Sequence, residues 1–446
     1  MTAYQDEKTP LPLLGGFSLR EVSILGALMI PTLMSLISTG MLGVALPIIQ
    51  AEFTITVDAL SLVIAAGFLL RVPFMSIYGR VGDSFGKKKL YLVGLTVVVG
   101  GSLVSGLSQS FSGLLIGRTL EGLGGAASLP LAMALVVDTL PEERRGRGLG
   151  IWNSAAPLGM VLGPVIGGFM VEIFGWRSIF LVFAAGTLIA IVVVLFLVPN
   201  KVPVKQPLAM DWAGATAWAI FLGALLAATS TSSFIPFWTP LNLMFWSISF
   251  GAVLFLGWNA LQRDNAFIPL EIFKNRRFMM PALAIMLRMF TLEGVRFLTI
   301  LYLANVFLQS PSQTGLIMGF FTVPLLVGVT YGGFLADRWS ARKIGIIAMS
   351  GMTVSLIWLG LVNGESTGYL ILAPGLIMSA FFTAICLAAF SKTSVSSLGP
   401  EQVGLASGLY NTIRFAGLAV STPLLGAWLA RGFSQYGGLE SISWPY

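Results

Sequence analysis

The chain has 446 residues, of which 56% are hydrophobic and only 10% are charged. A soluble protein of this length carries about a quarter charged residues, so the composition indicates a polytopic membrane protein. The single cysteine, Cys386, excludes an internal disulfide and a thiolate metal site, and the absence of histidine removes the usual metal ligand. We therefore expect no metal, no cofactor and no enzymatic activity, and any proton chemistry must use carboxylates.

Thirteen apolar stretches are long enough to cross a bilayer, which takes about 20 helical residues. We number them span 1 to span 13, and they cover residues 22–48, 57–79, 89–108, 112–138, 148–172, 178–198, 211–230, 241–262, 279–308, 312–335, 343–363, 367–391 and 402–430. Most lysines and arginines lie in the amino terminus and the even-numbered loops, which predicts a cytoplasmic amino terminus. The net charge of +7 is then a topology signal and does not indicate nucleic-acid binding. We expect a multi-pass protein of the cell inner membrane or plasma membrane.

A short loop between spans 2 and 3 has a counterpart between spans 10 and 11, 254 residues later. The first loop reads GRVGDSFGKKK and the second GFLADRWSARK, and their glycine, aspartate and basic residues include Gly79, Asp83, Lys87, Lys88, Gly333, Asp337, Arg338 and Arg342. A second repeat, at an offset of 258 residues, relates residues 146–168 to residues 404–426. Internal repeats of this kind indicate two related halves, with spans 7 and 8 inserted between them.

The repeats divide the chain into four parts. These are a cytoplasmic amino terminus (1–21), an amino-terminal six-helix half (22–198), an inserted helix pair with its flanking loops (199–278) and a carboxyl-terminal half (279–446). Two six-helix halves and an inserted pair make fourteen helices, but the final stretch GFSQYGGLESISWPY is too short and too polar to cross the membrane. The last helix is apparently missing, so either thirteen helices place the carboxyl terminus outside or the chain is a shortened product.

Span 5 carries the most specific pattern, GIWNSAAPLGMVLGPVIGG over residues 150–168. Its glycine and proline positions are Gly150, Gly159, Gly163, Pro164, Gly167 and Gly168. Both residue types weaken a helix and persist in lipid only where neighbouring helices pack closely. The spacing resembles, position for position, the antiporter signature of exporters in the major facilitator superfamily. An ordinary small-residue packing face is the alternative.

Other segments resemble the fourteen-helix drug:proton antiporter branch of that superfamily, namely RTLEGLG (118–124), GWR (175–177) and IPLEIFKNRRF (268–278). The resemblance implies the all-α major facilitator fold, with spans 1, 4, 9 and 12 around a central cavity. It also implies that the eight residues named above in the two repeated loops are gating residues, among which Asp83 and Asp337 stabilise the outward-facing state. The glycine face of span 5 would, by the same resemblance, limit leak. The family usually has an aspartate where this chain has Ser38, so the span 1 carboxylate is absent and Ser38 is assigned to the substrate cavity.

Seven ionisable residues fall within the spans. They are Arg71, Arg118, Glu121, Arg288, Glu293, Arg296 and Arg414. Charges inside a bilayer are costly, so each is a candidate functional residue. Arg118 with Glu121 and Glu293 with Arg296 stand three residues apart, so each couple shares a helical face and can form an ion pair. We interpret Glu121, Arg118 and Glu293 as proton-coupling residues and Arg288 and Arg296 as cavity residues; static pairs that only fix helix packing are the alternative.

The sequence thus predicts a monomeric, proton-coupled efflux transporter, an antiporter of the multidrug type, which moves small amphipathic compounds by alternating access. Its partners would be the lipid bilayer, protons and a small-molecule substrate, with no nucleic acid. A dedicated metabolite carrier of the same fold and a non-transporting or degenerate homologue are the alternatives. The spans contain five arginines and only two glutamates. Because of this excess of positive charge, we expect a neutral or anionic substrate, with Arg288 nearest its acidic group.

Overall fold

The computed structural model describes residues 17–141, 144, 148–149, 151–152, 154–200, 211–231, 238–263, 266–362, 369–395, 397–398 and 403–436. Within them the chain is built from α-helices, and thirteen of these helices are long and apolar enough to cross a membrane, by length and composition. Each coincides with one predicted span, so the all-α membrane fold with thirteen spans is confirmed. The final segment, residues 437–446, lies outside the described residues.

The helices of the first six spans have the following bounds. They are Leu19–Phe53 (span 1), Val57–Leu69 and Arg71–Phe85 (span 2), Lys87–Leu107 (span 3), Phe111–Gly125 and Ser128–Thr139 (span 4), Ala155–Phe174 (span 5) and Arg177–Leu197 (span 6). Span 1 begins at a capping box, because Ser18 Oγ accepts a hydrogen bond from the Glu21 N–H at 3.3 Å and the Ser18 N–H donates to Glu21 Oε2 at 2.7 Å. A serine and a glutamate three residues apart therefore determine where the first helix starts.

The later spans follow the same plan. Their helices are Trp212–Thr231 (span 7), Pro240–Gln262 (span 8), Arg276–Asn305 (span 9), Pro311–Arg338 (span 10), Ala341–Leu361 (span 11), Ala373–Ile385 and Leu387–Val395 (span 12) and Val403–Tyr436 (span 13). A short helix, Glu271–Lys274, precedes span 9, and a 3₁₀ turn, Tyr369–Leu372, precedes span 12. Spans 2, 4 and 12 are thus each interrupted, at Leu70, at residues 126–127 and at Cys386.

Two groups of helices pack against each other. In the first group span 1 packs on spans 5 and 6, and span 4 on spans 2 and 3; in the second, span 9 packs on span 13, and span 12 on spans 10 and 11. Spans 5 and 10, and spans 2 and 13, bring the two groups together. Spans 7 and 8 pack on each other, and span 7 also lies against spans 2 and 13.

Two names describe the ends of the bundle. The basic end carries Lys87 and Lys88 at the start of span 3. The opposite end carries Glu52 and Arg177, which form an ion pair at 2.7 Å, and Trp176, whose indole N–H donates to Glu52 at 2.6 Å. The same buried tryptophan stacks edge-on against Phe180, so the start of span 6 is anchored to the end of span 1.

Candidate functional site

A narrow recess, with an internal volume of only about 20 Å³, lies among the spans of the first group. Its polar lining comes from Ser35, Ser38, Thr39, Arg71, Arg118, Glu121, Ser128 and Thr187, and its apolar walls include Phe68, Leu95, Val98 and Phe183. Three residues predicted from the sequence as site residues, Ser38, Arg118 and Glu121, therefore surround one space. A cavity of this volume holds about one water molecule, so a small-molecule substrate could enter it only if the surrounding helices move apart.

Arg118 and Glu121 form a buried ion pair within span 4, in which Arg118 Nη1 donates to Glu121 Oε2. The two side chains are 8% and 5% exposed. Arg118 Nε also donates to the carbonyl oxygen of Val63 in span 2, at 3.2 Å, so the guanidinium joins two spans. The second oxygen of Glu121, Oε1, is buried and has no hydrogen-bond partner among the described residues. Oε2 of Glu121 is therefore paired with a positive charge, whereas Oε1 can still accept a hydrogen bond.

Small residues bring span 3 against this ion pair. A Cβ at Gly101 would lie 2.5 Å from the backbone nitrogen of Glu121, so only glycine permits this approach. The buried hydroxyls of Ser102 and Ser105 lie beside the Glu121 carboxylate as potential donors to it, although neither has the geometry of a formed hydrogen bond among the described residues. Span 3 thus places two hydroxyl groups beside the buried carboxylate of span 4.

Arg71 lies where the first and second groups of helices meet. Its Nη2 donates to Ser35 Oγ at 3.4 Å, and its guanidinium carbon lies 5.8 Å from the Phe68 ring centroid and 5.9 Å from that of Phe415. The two rings are nearly parallel, with centroids 6.2 Å apart. Since Phe415 belongs to span 13, this arginine connects the recess to the second group.

Arg288 lies outside the residues that line the recess, in a separate cluster of spans 9, 12 and 13. It is 3% exposed, and its Nε donates to the carbonyl oxygen of Thr383 at 2.5 Å, one turn before the break of span 12 at Cys386. Arg414 and Tyr410 of span 13 lie within electrostatic range of it. Arg414 Nε and Tyr410 Oη are buried without a hydrogen-bond partner among the described residues.

Glu293 and Arg296 also lie apart from the recess. Arg296 Nη2 donates to Glu293 Oε1 at 2.5 Å, and Glu293 is 4% exposed. Along span 9 Glu293 and Arg296 stand roughly 8 and 12 Å nearer the opposite end than Arg288 does, at about 1.5 Å per residue. The structure therefore brings Ser38, Arg118 and Glu121 together and leaves Arg288, Glu293 and Arg296 on a different helix.

The glycine face of span 5 lies directly on span 1. A Cβ at Gly159 would lie 2.7 Å from Leu36 Cβ, and one at Gly167 would lie 2.5 Å from Met41 Cα. On its other side span 5 meets span 10, where a Cβ at Gly168 would lie 2.5 Å from the Pro311 carbonyl oxygen. Gly150 lies outside the described residues. The motif therefore permits contact with both groups of helices.

Gly163 and Pro164 complete that face. The Cα of Gly163 approaches Gly40 of span 1, because a Cβ on Gly40 would lie 2.9 Å from that atom and 2.8 Å from Pro164 Cδ. From the other side, a Cβ at Gly315 of span 10 would meet the Pro164 carbonyl oxygen. Spans 1, 5 and 10 thus approach each other closely through glycines.

The loop after span 2 is bound within the first group of helices. Lys87 forms an ion pair with Asp138 at the end of span 4, at 2.8 Å. Lys88 donates to the carbonyl oxygens of Leu195 and Val198, at 2.8 and 2.6 Å, and so caps the carboxyl end of span 6. Gly79 lies near span 4, since a Cβ there would be 3.7 Å from the Cβ of Pro130.

The loop after span 10 makes fewer contacts. A Cβ at Gly333 would meet no atom within 4 Å, and Arg342 is exposed. Arg338 stacks on Phe334 of its own helix, with 4.1 Å between guanidinium carbon and ring centroid. The side chains of Asp83 and Asp337 lie outside the described residues.

Several site residues were not identified from the sequence. They are Ser35, Thr39, Phe68, Ser102, Ser105, Ser128, Thr187, Thr383, Tyr410 and Phe415. Tyr410 belongs to the 258-residue repeat, where it corresponds to Trp152, so the repeat could have identified it. Serine and threonine are common in membrane helices, and no sequence signal separates those that line the recess from the others.

The helices and the buried charges define a multi-pass membrane transport protein. The family model described as Major Facilitator Superfamily matches residues 28–270 and 281–446. The chain therefore belongs to the major facilitator superfamily.

Its relatives are transporters. The chain is 28% identical to the multidrug resistance protein Stp of Mycobacterium tuberculosis (strain CDC 1551 / Oshkosh), over 90% of this chain and 76% of that protein. It is 26% identical to the riboflavin transporter RibZ of Clostridioides difficile (strain 630), over 93% and 89%. Its fold resembles the crystal structure of a bacterial homologue of the human lysosomal transporter Spinster, inward-facing and unoccupied, with a TM-score of 0.68, 16% identity and coverage of 95% and 86%.

Proposed function

We propose that this transporter is a proton-coupled exporter of small amphipathic compounds that works by alternating access. The observation that carries the proposal is Glu121, a buried carboxylate at the recess with one oxygen paired to Arg118 and the other without a hydrogen-bond partner among the described residues. The name of the M. tuberculosis relative, a multidrug resistance protein, supports export as the direction of transport.

The free oxygen of Glu121 makes protons and substrate compete. When the carboxylate is ionised, Oε1 can accept a hydrogen bond from a donor group of the substrate. When it carries a proton, that lone pair is occupied and the ion pair with Arg118 is lost, while Arg118 keeps its bond to Val63. Two ligands that exclude each other at one atom satisfy the requirement for antiport, in which each ligand occupies a different half of the cycle.

Alternating access requires contacts between the two groups of helices that form in one state and break in the other. At the opposite end, Glu172 of span 5 accepts hydrogen bonds from Ser310 Oγ at 3.1 Å and from the Ser312 N–H at 3.0 Å. Nearer the basic end, the hydroxyls of Ser76 and Thr412 lie 2.8 Å apart. We assign the first contact to the gate at the opposite end and the second to the axis along spans 2 and 13.

The membrane orientation and the loop roles belong to the same proposal. Lysines and arginines concentrate at the basic end, which supports a cytoplasmic location for that end and for the amino terminus in the inner or plasma membrane. Asp83 and Asp337 would stabilise the outward-facing state at the basic end. The glycine face of span 5 would limit leak, since close helix contact excludes water. The functional unit is a monomer.

A dedicated metabolite carrier is the second candidate, and the riboflavin transporter of C. difficile, matched over 93% of this chain, supports it. The two functions differ in substrate range. Dye export from cells that express the chain, measured with structurally unrelated fluorescent compounds and with riboflavin in competition, separates them. Export of several unrelated dyes supports the exporter, whereas transport of one compound supports the carrier.

The coupling claim is tested by replacing Glu121 with glutamine in protein reconstituted into liposomes. Glutamine keeps the size of the side chain but cannot exchange a proton, so Glu121→Gln should lose uphill, gradient-driven transport. It should retain substrate exchange at equal pH on both sides, because the recess remains. Arg277→Gln, at an exposed position in the first turn of span 9, is the matched control and should behave like the wild type.

Glu293→Gln is measured in parallel, because Glu293 is the other carboxylate buried in the middle of a span among the described residues, whereas the buried Asp211 lies at the start of span 7. We expect a smaller effect, since its ion pair with Arg296 lies outside the recess. If both glutamine variants retain full uphill transport, proton coupling by these carboxylates is wrong.

A further inference from the structure

Arg288 and Arg414 form a positive cluster in the second group of helices. Each stands roughly 17 Å from the basic end of its helix, which is deep within a bilayer. In the described part of the chain neither forms an ion pair, whereas Arg118 and Arg296 each pair with a glutamate. Span 9, which carries Arg288, packs on span 13, which carries Arg414, and two neighbouring cations without a counter-ion are unfavourable in a membrane interior. The region around Arg288 and Arg414 therefore has two positive charges and no compensating carboxylate in the described chain.

Hydrogen-bonding groups around the cluster are also left without partners. Tyr410 is 2% exposed, and its hydroxyl has no hydrogen-bond partner among the described residues, nor has Arg414 Nε. The counterpart of Tyr410 in the first half, Trp152, donates its indole N–H to the Leu28 carbonyl oxygen at 3.2 Å. The side chain at this repeat position is therefore hydrogen-bonded in the first half, and in the second half it has no hydrogen-bond partner among the described residues.

Within the described part of the chain, Arg288 donates to an oxygen atom at one edge of its guanidinium only. Its Nε donates to Thr383 O at 2.5 Å, while Nη1 has a weak contact of 3.5 Å with Met289 Sδ. Sulfur is a poor acceptor, so the terminal nitrogens retain most of their capacity to donate. A guanidinium fixed at Nε with free terminal N–H groups is preorganised for an oxyanion.

An aromatic surface adjoins the cluster. The guanidinium carbon of Arg414 lies 5.3 Å from the ring centroid of Phe415, and that ring is nearly parallel to Phe68 of span 2. Arg71 lies on the same two rings from the side of the recess. The positive cluster and the recess that contains Glu121 are thereby connected by apolar surface.

We propose that Arg288, Arg414 and Tyr410 bind the carboxylate of an amphipathic organic anion whose apolar part lies on Phe415 and Phe68. The inference rests on the proposed function, because it names the substrate class of that exporter. Arginine is suited to carboxylates because its planar fork donates two parallel hydrogen bonds, and the tyrosine hydroxyl adds a third donor. The bound anion supplies the missing negative charge.

Binding of radiolabelled 2-naphthoate to the purified full-length protein tests this site without a proton gradient. The neutral amide, 2-naphthamide, and the cation 2-naphthylmethylammonium have the same ring system and serve as competitors. We expect unlabelled 2-naphthoate to displace the label at least ten times more effectively than the amide, and the cation not to displace it. Sodium chloride at constant ionic strength tests whether the cluster binds only an inorganic anion.

Arg414→Gln is the most informative variant, because Arg414 makes no hydrogen bond in the described chain and its replacement breaks none. It should weaken naphthoate binding by about tenfold or more, and Tyr410→Phe by a few-fold, as expected for a charged and a neutral hydrogen bond. Arg288→Gln should resemble Arg414→Gln. Arg277→Gln, on the exposed surface of the same helix as Arg288, should bind like the wild type.

The outcomes separate this inference from the proposed function. Charge-selective binding that is lost in Arg414→Gln supports the anion site, even if reconstituted protein shows no uphill transport. Equal binding of naphthoate and its amide, or unchanged binding in Arg414→Gln, overturns the site, even if uphill transport of a neutral dye is intact. Displacement of naphthoate by millimolar chloride alone, with no preference among the organic probes, also overturns it.

Discussion

Replacing Gly163 with alanine tests whether span 5 must lie directly on span 1. The added Cβ would lie 2.7 Å from the carbonyl oxygen of Ile37 and 2.9 Å from Gly40 Cα, whereas ordinary contact begins at 3.4 Å. Both neighbours are backbone atoms, so no side-chain rotation relieves the clash. The helices must separate by about 0.7 Å, and we expect a loss of stability of about 1–3 kcal/mol from overpacking.

The assay is thermal unfolding of the purified protein together with export by the same variant in cells. Gly163→Ala should melt at a lower temperature and export less, and Gly159→Leu should abolish export while the protein still reaches the membrane. Gly100→Ala is the matched control, because a Cβ there meets no atom within 4 Å and alanine favours the helix. A Gly163→Ala protein that melts and exports like the wild type would refute the close contact.

Two further perturbations act at other parts of the fold. The carboxylate of Asp211 accepts hydrogen bonds from the Gly214 and Phe267 N–H groups and from the Asn259 side chain. Burial alone would raise the pKa of Asp211, but these hydrogen bonds and the charge of Arg263 lower that pKa below its usual range. Its stabilisation is present above about pH 4 and lost as the pH falls through the folded pKa. Asp211→Asn should therefore cost about 1–3 kcal/mol at pH 7 and less near pH 3.5, measured by thermal unfolding, and a pH-independent cost would contradict this. Glu172→Gln should weaken the contact between spans 5 and 10 and so open the gate at the opposite end more often. A cysteine placed in the recess by Thr39→Cys should then react faster with an impermeant maleimide added at that end. An unchanged labelling rate would count against the gate.

The spans could be predicted because their signal is local. Apolar runs of bilayer length are visible residue by residue, and caps such as Ser18 with Glu21 place the helix starts. The interruption at Leu70 also has a local signal, because Pro73 has no N–H to donate to the carbonyl of Leu69. The interruption at Cys386 could not be predicted in this way, because no glycine or proline lies between residues 376 and 398. The break at Cys386 follows the carbonyl of Thr383, which accepts a bond from Arg288, 95 residues away. Such breaks depend on tertiary contacts.

The contacts of the candidate site could likewise be predicted only where their signal is local in the sequence. Arg118 with Glu121 and Glu293 with Arg296 could be paired from the sequence, because residues three apart share a helical face whatever the tertiary fold. The contact of Arg71 with Phe415 and the cluster of Arg288 with Arg414 and Tyr410 join separate spans, and spacing along the chain does not encode them. Lys87 and Lys88 were expected in the gating loop, but their partners on spans 4 and 6 were not.

Proton movement during substrate transport tests the central claim most directly. Wild-type protein is reconstituted into liposomes that contain a trapped pH-sensitive dye, and a substrate identified by the export assay is added on one side. Proton-coupled antiport predicts that protons move opposite to the substrate, that the signal disappears with a proton ionophore, and that Glu121→Gln abolishes it. Substrate movement with no accompanying proton movement would contradict the account.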